Sequence, residues 1–365
     1  MENYPKVAII YLSFHSEPYV DGVVSALKKM TYPKDRVEFV VVDNPHPTHG
    51  LSIRYFEENV MFMSGKELPH ITLLPQRENL GFAGGNNVGI QWALDNGFDY
   101  VYFHNNDGFV AANFLEPLVT VMENDKNVGA VQSLLMLYPE TDLLNSSGNS
   151  FHYLGLGFCN NLRVKKSDLK LEKAYETSYA SGAAVLLRAD LLRQYGLWDN
   201  DFFLYHEDIE YCFRLKISGY KIMVASDSLF YHKYSFSRNQ TKFYYIERNR
   251  FGVMLMFFKW PTLLLFLPVG LVLEVGLLLF AAKQGWIKEK LKAYAYWFKF
   301  SSWQLWLKKR AYVQSIRKVA DKEMMKTFVG KIEFNEQSIK NPVLDYIANL
   351  LMNLYWLIIK KIIFW

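Results

Sequence analysis

The sequence predicts an α/β fold, a mostly parallel, doubly wound sheet flanked by helices and followed by a helical appendage. Three observations carry this. Short apolar runs alternate with helical patterns in the first part of the chain, polar residues cluster where those runs end, and from Tyr244 the pattern turns helical with two long apolar stretches. The 365 residues are 51% hydrophobic and only 21% charged, which excludes a disordered chain and suits one large domain plus an appendage. The expected division is an α/β domain over residues 1–243 and a basic, aromatic helical region over 244–365.

Residues 7–12, 39–43, 71–74 and 100–104 are short, rich in β-branched or aromatic residues, and end in polar or turn residues, as buried strands do. Between them, residues 19–30, 51–63 and 86–96 repeat apolar side chains at helical spacing. Strand, helix, strand, helix with right-handed crossovers builds a parallel sheet whose ligand crevice opens at the carboxyl ends of its strands. Beyond this, strands are expected at 128–137, 183–187, 220–225 and 229–231, and helices at 189–195 and 207–218.

Charge is unevenly distributed. Residues 283–326 carry twelve Lys/Arg against three Asp/Glu, while the 282 residues before them are net acidic. A local basic segment between apolar stretches suits an anionic membrane surface and argues against nucleic acid. Two cysteines, Cys159 and Cys212, cannot build a disulfide scaffold and agree with a reducing compartment. The N-terminal residues lack a signal-like start, so the α/β domain is expected in the cytoplasm.

Four groups of residues could carry chemistry. Asp43 and Asn44 end the second strand, where Asp43 could equally cap a turn. The run Asn79-Leu80-Gly81-Phe82-Ala83-Gly84-Gly85-Asn86-Asn87 follows a strand and opens a helix; its glycines allow close backbone approach and positive φ, suited to a nucleotide or diphosphate. Asn105-Asn106-Asp107 ends the fourth strand, where one carboxylate can hold Mg²⁺ or Mn²⁺ beside a diphosphate, or simply form an Asn-Asp-Gly turn. Glu207 and Asp208 begin a helix, which capping explains, but Phe202, Phe203 and Tyr205 just before them would desolvate a carboxylate and strengthen it as a base. His232 ends another apolar run.

Taken in order, Val41-Val42-Asp43-Asn44, the 79–87 run, Asn105-Asn106-Asp107, Ser181-Gly182-Ala183-Ala184, Gly196-Leu197-Trp198-Asp199 with 202–208, Tyr231-His232, and Tyr244-Tyr245 with Arg248-Asn249 resemble the family 2 glycosyltransferases of the GT-A (Rossmann-like) fold, and within them the rhamnosyltransferase-like branch. The resemblance covers residues 7–259. It implies that Ser13, Asp43, Asn79, Gly81, Asn87, Asn105 and Asn106 bind a nucleoside-diphosphate sugar (dTDP or UDP), with Asp43 toward the base. It implies that Asp107 holds Mg²⁺ or Mn²⁺ with His232, although Asn105 stands where an acid is common. Asp208, with Glu207, matches the source of the inverting general base, and Trp198 and Arg248 are the candidates for phosphate or acceptor contact. For Arg248 a solvated helix face is the plain alternative.

Residues 263–282 could cross a membrane by length, but Pro268, Gly270 and Gly276 weaken a continuous helix, and a single crossing would put the basic segment outside, against the positive-inside tendency. An in-plane or re-entrant arrangement is therefore expected. In residues 344–365, Asp345, Asn349 and Asn353 form a narrow polar stripe on an otherwise apolar helix. Peripheral or monotopic attachment at the cytoplasmic membrane face fits these segments, with a homodimer interface as the alternative. A surface-held enzyme suggests a lipid-linked saccharide acceptor of cell-wall or surface polysaccharide. The competing functions are a polyprenyl-phosphate sugar synthase and a non-catalytic sugar-nucleotide-binding protein.

Overall fold

A computed structural model describes residues 4–233, 240–333 and 344–365; of Asp345, only the backbone is among them. In chain order the elements are β1 (Val7–Ser13), α1 (Glu17–Lys28), β2 (Val37–Asp43), α2 (Ile53–Asn59), β3 (His70–Pro75), α3 (Gly81–Asp95), β4 (Tyr100–Asn105), β5 (Gly108–Val110), α4 (Leu115–Asn124), β6 (Val128–Leu137), β7 (Leu144–Ser146), β8 (Asn149–Phe151), β9 (Gly157–Cys159), β10 (Ala174–Glu176), β11 (Ala184–Arg188), α5 (Ala189–Tyr195), α6 (Glu207–Ile217) and β12 (Lys221–His232). Then follow α7 (Thr241–Phe257), α8 (Trp260–Gln284), α9 (Ile287–Trp297), α10 (Phe300–Ser315), α11 (Asp321–Met324) and α12 (Asn349–Ile362), the last preceded by a π-helical turn, Leu344–Ala348.

The main sheet runs β10-β12-β6-β11-β4-β1-β2-β3, with β5 on β12 and β7 on β6. β1, β2, β3 and β4 are mutually parallel, and β6 is parallel to β12; β11 enters antiparallel between β4 and β6. Side chains of β1 alternate between two cores, as the pleat requires: Val7, Ile9 and Tyr11 face α1 and α4, while Ala8, Ile10 and Leu12 face α3. The core containing α3, α5 and α6 continues into the appendage through Phe257, Trp306, Met352 and Trp356.

Two sequence expectations change. Residues 220–225 and 229–231 belong to one strand, β12, whose register on β6 shifts between Ala225 and Leu229. Ser228 stays buried in that irregularity, donating to the Phe114 carbonyl at 2.7 Å and lying 2.8 Å from Ser133 Oγ, so polar residues mark a bulge instead of a turn. The second change is α8, which runs unbroken past Pro268. The ring lies on the exposed face, where losing one N–H costs a helical bond without a core clash.

α7 and α10 meet where Gly252 faces Trp306. A Cβ at Gly252 would lie 2.2 Å from the indole of this fully buried tryptophan. Gly252→Ala is expected to lower unfolding free energy by about 1–3 kcal/mol through overpacking, measured by denaturant titration.

Candidate active site

The carboxyl ends of β1, β2 and β4 surround a cleft of about 240 Å³ lined by Leu12, Phe14, Asn44, Asn79, Gly81, Phe82, Asn105, Asn106, Phe203 and Leu204. A larger polar cavity of about 660 Å³, with Arg36, Asp99, Glu123 and Arg193, opens at the opposite edge, beside the amino ends of β1 and β4. In a parallel sheet the carboxyl edge is the functional one, so the smaller cleft is the candidate site.

Asn79, Gly81, Asn105 and Asn106 line the cleft as expected, but Ser13 and Asp43 lie beneath its wall. Both are fully buried, Ser13 Oγ donates to Asp43 Oδ1 at 2.7 Å, and the amide of Ile53 donates to Asp43 Oδ2 at 2.7 Å. Burial raises the Asp43 pKa, and these donors lower it in part. Its two oxygens thus fasten the segment after β2 to β1.

The 79–87 run is not a phosphate loop. α3 already begins at Gly81, and the carbonyl of Phe203 accepts the amides of Phe82 at 2.7 Å and Ala83 at 3.3 Å, while Asn79 Oδ1 accepts that of Gly81 at 2.9 Å. The free amides that would attract an anion are therefore taken by the chain itself. Gly81 alone of the three glycines needs positive φ (72°); a Cβ at Gly85 would sit 2.4 Å from Leu12 Cδ1, so that glycine lets α3 press onto β1. Asn87, expected at the nucleotide, instead binds the segment before α6: its amide reaches the Trp198 carbonyl and Asn200 Oδ1, both at 2.7 Å, and Trp198 N donates to its Oδ1 at 3.0 Å.

Asp107 and His232, 125 residues apart, meet because β5 pairs with the end of β12. His232 Nε2 lies 3.0 Å from Asp107 Oδ1, and Asn105 Nδ2 lies 2.7 Å from that oxygen and 3.2 Å from the same nitrogen. On the other side, Nδ1 is 2.9 Å from Asn145 Oδ1, which can accept a proton carried there and so leave Nε2 available to a cation shared with the carboxylate. Among the described residues no group of three or more His, Cys, Asp and Glu side chains could hold a metal. One carboxylate and one imidazole fit a divalent ion whose other ligands come from substrate and water. Asn145 had no signal in the sequence.

The acidic pair sits across the β4–β11 ladder. Asp208 Oδ2 accepts the amide of Gly182 at 3.1 Å and Oδ1 that of Ile209 at 2.8 Å; the carbonyl of Ala183 in turn accepts from Asn105 N at 2.9 Å. A short path of hydrogen bonds therefore joins Asp208 to the Asn105–Asp107 corner. Burial raises the Asp208 pKa to about 6, opposed by those amides. Glu207 is 4% exposed, and burial with the charge of Asp208 pushes its pKa well above the carboxylate range. Burial and mutual repulsion thus favour a single negative charge on the pair, of which Asp208 is the half-buried member.

The turn that presents this pair is strained. Phe203, Tyr205 and His206 have φ of 61°, 66° and 69°, each costing about 1 kcal/mol or more for a side chain of that size. What holds it is the pair Arg248-Asn249 on α7. The fully buried Asn249 places Nδ2 at 3.0, 3.1 and 2.7 Å from the carbonyls of Phe202, Leu204 and Tyr205. Arg248 donates to the carbonyls of Asp201 at 2.5 Å and Phe202 at 3.0 Å and to Asn249 Oδ1 at 2.8 Å, with the rings of Tyr244, Tyr245 and Tyr296 around its guanidinium. Arg248 thus holds the turn through Nε and Nη2 and is buried, not a solvated helix-face residue. Trp198 is likewise a core side chain, its ring 4.4 Å from that of Phe103, although its indole nitrogen is buried without a hydrogen-bond partner.

Beside Phe14, at the cleft, three imidazoles unnoticed in the sequence gather: His15 stacks on His49 at 3.8 Å, and His46 lies 4.7 Å from the Phe14 ring. They come from the segments after β1 and β2, whose proximity only the parallel pairing creates.

Asn249→Ala should leave the strained turn unsupported. The expected result is a fall in kcat of about tenfold or more with donor KM changed less than about twofold, read from steady-state kinetics beside a thermal unfolding curve; an equal rise in KM would assign Asn249 to donor binding instead.

Comparison with known proteins agrees with this geometry. The model of "Glycosyltransferase like family 2" matches residues 5–252. The low-salt glycan biosynthesis hexosyltransferase Agl10 of Haloferax volcanii is 26% identical over 215 residues, 58% of this chain, which spans 61% of that relative's length. Among solved structures, GalNAc-T7 with UDP, GalNAc and Mn²⁺ superposes with a TM-score of 0.50 at 15% identity, over 65% of this chain and 44% of that one. S. aureus TarS 1–349 in complex with UDP is similar over 98% of this chain and 90% of that one, at 15% identity and a TM-score of 0.48. The family model covers about two thirds of the chain, which therefore belongs to the family 2 glycosyltransferases, with a GT-A fold.

Proposed function

We propose that this protein transfers a hexose, rhamnose or a similar sugar, from a dTDP- or UDP-linked donor to a hydroxyl of a lipid-linked saccharide, with inversion, at the cytoplasmic face of the membrane during cell-wall or surface polysaccharide synthesis. The observation that carries the reading is the Asp208 carboxylate, held by the amides of Gly182 and Ile209 and joined through Ala183 and Asn105 to the Asp107–His232 corner. The relative named as a hexosyltransferase of glycan biosynthesis supports the sugar class.

In this mechanism Asp208 takes the proton of the acceptor hydroxyl as its oxygen attacks the anomeric carbon. The bond from that carbon to the diphosphate oxygen breaks, and the nucleoside diphosphate leaves with the electron pair. Mg²⁺ or Mn²⁺ bound by Asp107 and His232 would supply positive charge for the departing diphosphate. Asn145 contacts the far side of the His232 ring, and Asn105 orients the Asp107 carboxylate. Burial and the charge of Asp208 raise the proton affinity of Glu207, which favours its neutral form beside the base. Buried carboxylates of raised pKa serve well as bases because they are ionised near neutral pH yet still bind a proton strongly.

The test is a panel of nucleotide sugars with Mn²⁺ and a lipid-linked acceptor extract, scoring release of nucleoside diphosphate. Asp208→Asn should bind donor normally and lose about 10²–10⁴-fold in kcat; undiminished turnover would remove Asp208 from the mechanism and favour a phosphate acceptor, which needs no base.

A raised Asp208 pKa of about 6 also sets the direction of the pH profile. The base works when deprotonated, so log kcat/KM should rise with unit slope up to about pH 6 and level off above; an acid limb near pH 4 would contradict the desolvated environment.

A further inference from the structure

Two helices of the appendage are built inside out. Between Trp260 and Ala282, α8 has one charged side chain, Glu274, and it points into the protein, where it pairs with Arg250 of α7, meets Lys290 Nζ of α9 at 3.0 Å and accepts from Tyr294 at 2.7 Å. Its outward residues Leu264, Leu267, Leu271, Val272, Val275 and Leu279 are apolar and 52–72% exposed. α12 does the same. Its first residue, Asn349, is buried and exchanges hydrogen bonds of 2.8 and 2.9 Å with the backbone of Ile332, while Leu350, Leu351, Leu354 and Ile358 are 49–61% exposed and the exposed charges, Lys360 and Lys361, come only in its last turn. A helix on a water-soluble surface has the opposite polarity. The two helices are neighbours, since Tyr355 donates to the Leu265 carbonyl at 2.6 Å and Trp365 to Thr262 Oγ1 at 2.8 Å.

α8 is also fastened along its whole length. Near its start, Thr262 Oγ1 donates to Asp321 Oδ2 at 2.6 Å and Phe266 packs against Tyr153 of the α/β domain, 5.4 Å between ring centres. Its middle is held by Glu274. Just past its end, Trp286 stacks on Phe243 at the start of α7, 4.5 Å away. With 25 residues the helix is about 37 Å long, enough to cross a hydrocarbon layer of about 30 Å. Crossing would however draw Glu247, Arg250 and Lys290, all nearly fully buried around Glu274, and the start of α7 into lipid with it. The exposed charges that follow are mainly lysines, among them Lys283 at the end of α8, Lys288 and Lys292 of α9, Lys299 just before α10 and Lys308 within it, which complement an anionic surface.

We propose that α8 and α12 together form an in-plane membrane-docking face: their outward leucines and valines enter the acyl region of an anionic bilayer, lysines of α9 and α10 meet the lipid phosphates, and neither helix crosses. The inference deepens the membrane-surface reading above and rests on it. The Glu247–Arg250–Glu274–Lys290 cluster locks the face to α7, the helix whose Asn249 supports the turn before Asp208.

The experiment uses the full-length protein with sealed vesicles of phosphatidylcholine, alone or with roughly one third phosphatidylglycerol. Flotation with the anionic vesicles is expected, weakened about tenfold or more by high salt. Val272→Asp combined with Leu354→Asp, both at exposed positions, should abolish flotation without lowering the thermal unfolding midpoint. For topology, Gln284→Cys in a Cys159→Ser background is treated with a membrane-impermeant maleimide. Labelling in inside-out vesicles of the expressing bacteria, and none in intact cells, is the expected result; labelling in intact cells means that α8 crosses and overturns the proposal. Failure to float, with a dimer that the double variant makes monomeric, assigns the face to a second copy and overturns it too. Sugar transfer in detergent without vesicle binding would sink this inference alone, whereas vesicle binding with no transfer to any donor and acceptor pair would leave it standing and sink the functional reading.

Discussion

The carbonyl of Phe203 is the contact on which the site depends. It closes the amino end of α3 by accepting two amides, and it does so from a turn with three side-chain-bearing residues in the left-handed region. Such a turn persists only when its surroundings over-determine it. Here the surroundings are Asn87 on one side, gripping Trp198 and Asn200, and Arg248-Asn249 on the other. α3, the acid-bearing α6 and α7 are thereby joined through a few backbone carbonyls, and the cleft is bounded by Phe203 and Leu204 from that same turn.

The acids at the carboxyl edge are separated by environment. Asp107 lies in a partly open corner with an imidazole and an amide donor beside it, a setting for a cation. Glu207 and Asp208 lie in a drier one, where burial and mutual repulsion raise their proton affinity. The carboxylates at this edge therefore differ in the sense that the proposed reaction, with its charge neutralisation and proton removal, would require.

The appendage shares the core that contains α3 and α6, with Trp306 and Trp356 buried beside residues of the sheet domain. Its ion cluster is buried and its leucines are exposed, the reverse of the usual economy of a soluble protein. Two carboxylates with two cations satisfy one another without solvent, so α7, α8 and α9 are kept in one arrangement even where the outer faces offer no packing partner.

Local pattern was enough to read much of this chain. Short continuous apolar runs and helical periodicity located the parallel strands, α5 and α6, because burial is written directly into residue order. The positions of Asp43 and Asp107 at strand ends and of Glu207-Asp208 at a helix start followed from the same logic, and the ordered motifs pointed to the family. Partners distant in sequence were decided only by tertiary structure. Asp43 and Arg248 have residue types suited to ligands, yet the fold also uses them to hold Ile53, Asp201 and Phe202. Asn145 carries no local signal but contacts His232, and the amide of Gly182 holds the Asp208 carboxylate. The stripe of Asn349 and Asn353 was visible as a period, but whether it faces water or protein depends on what packs against α12, and a period is silent on direction. Sequence specifies which groups a segment presents at short range, whereas a hydrogen bond or ion pair is settled by whichever distant group the fold brings within about 3 Å.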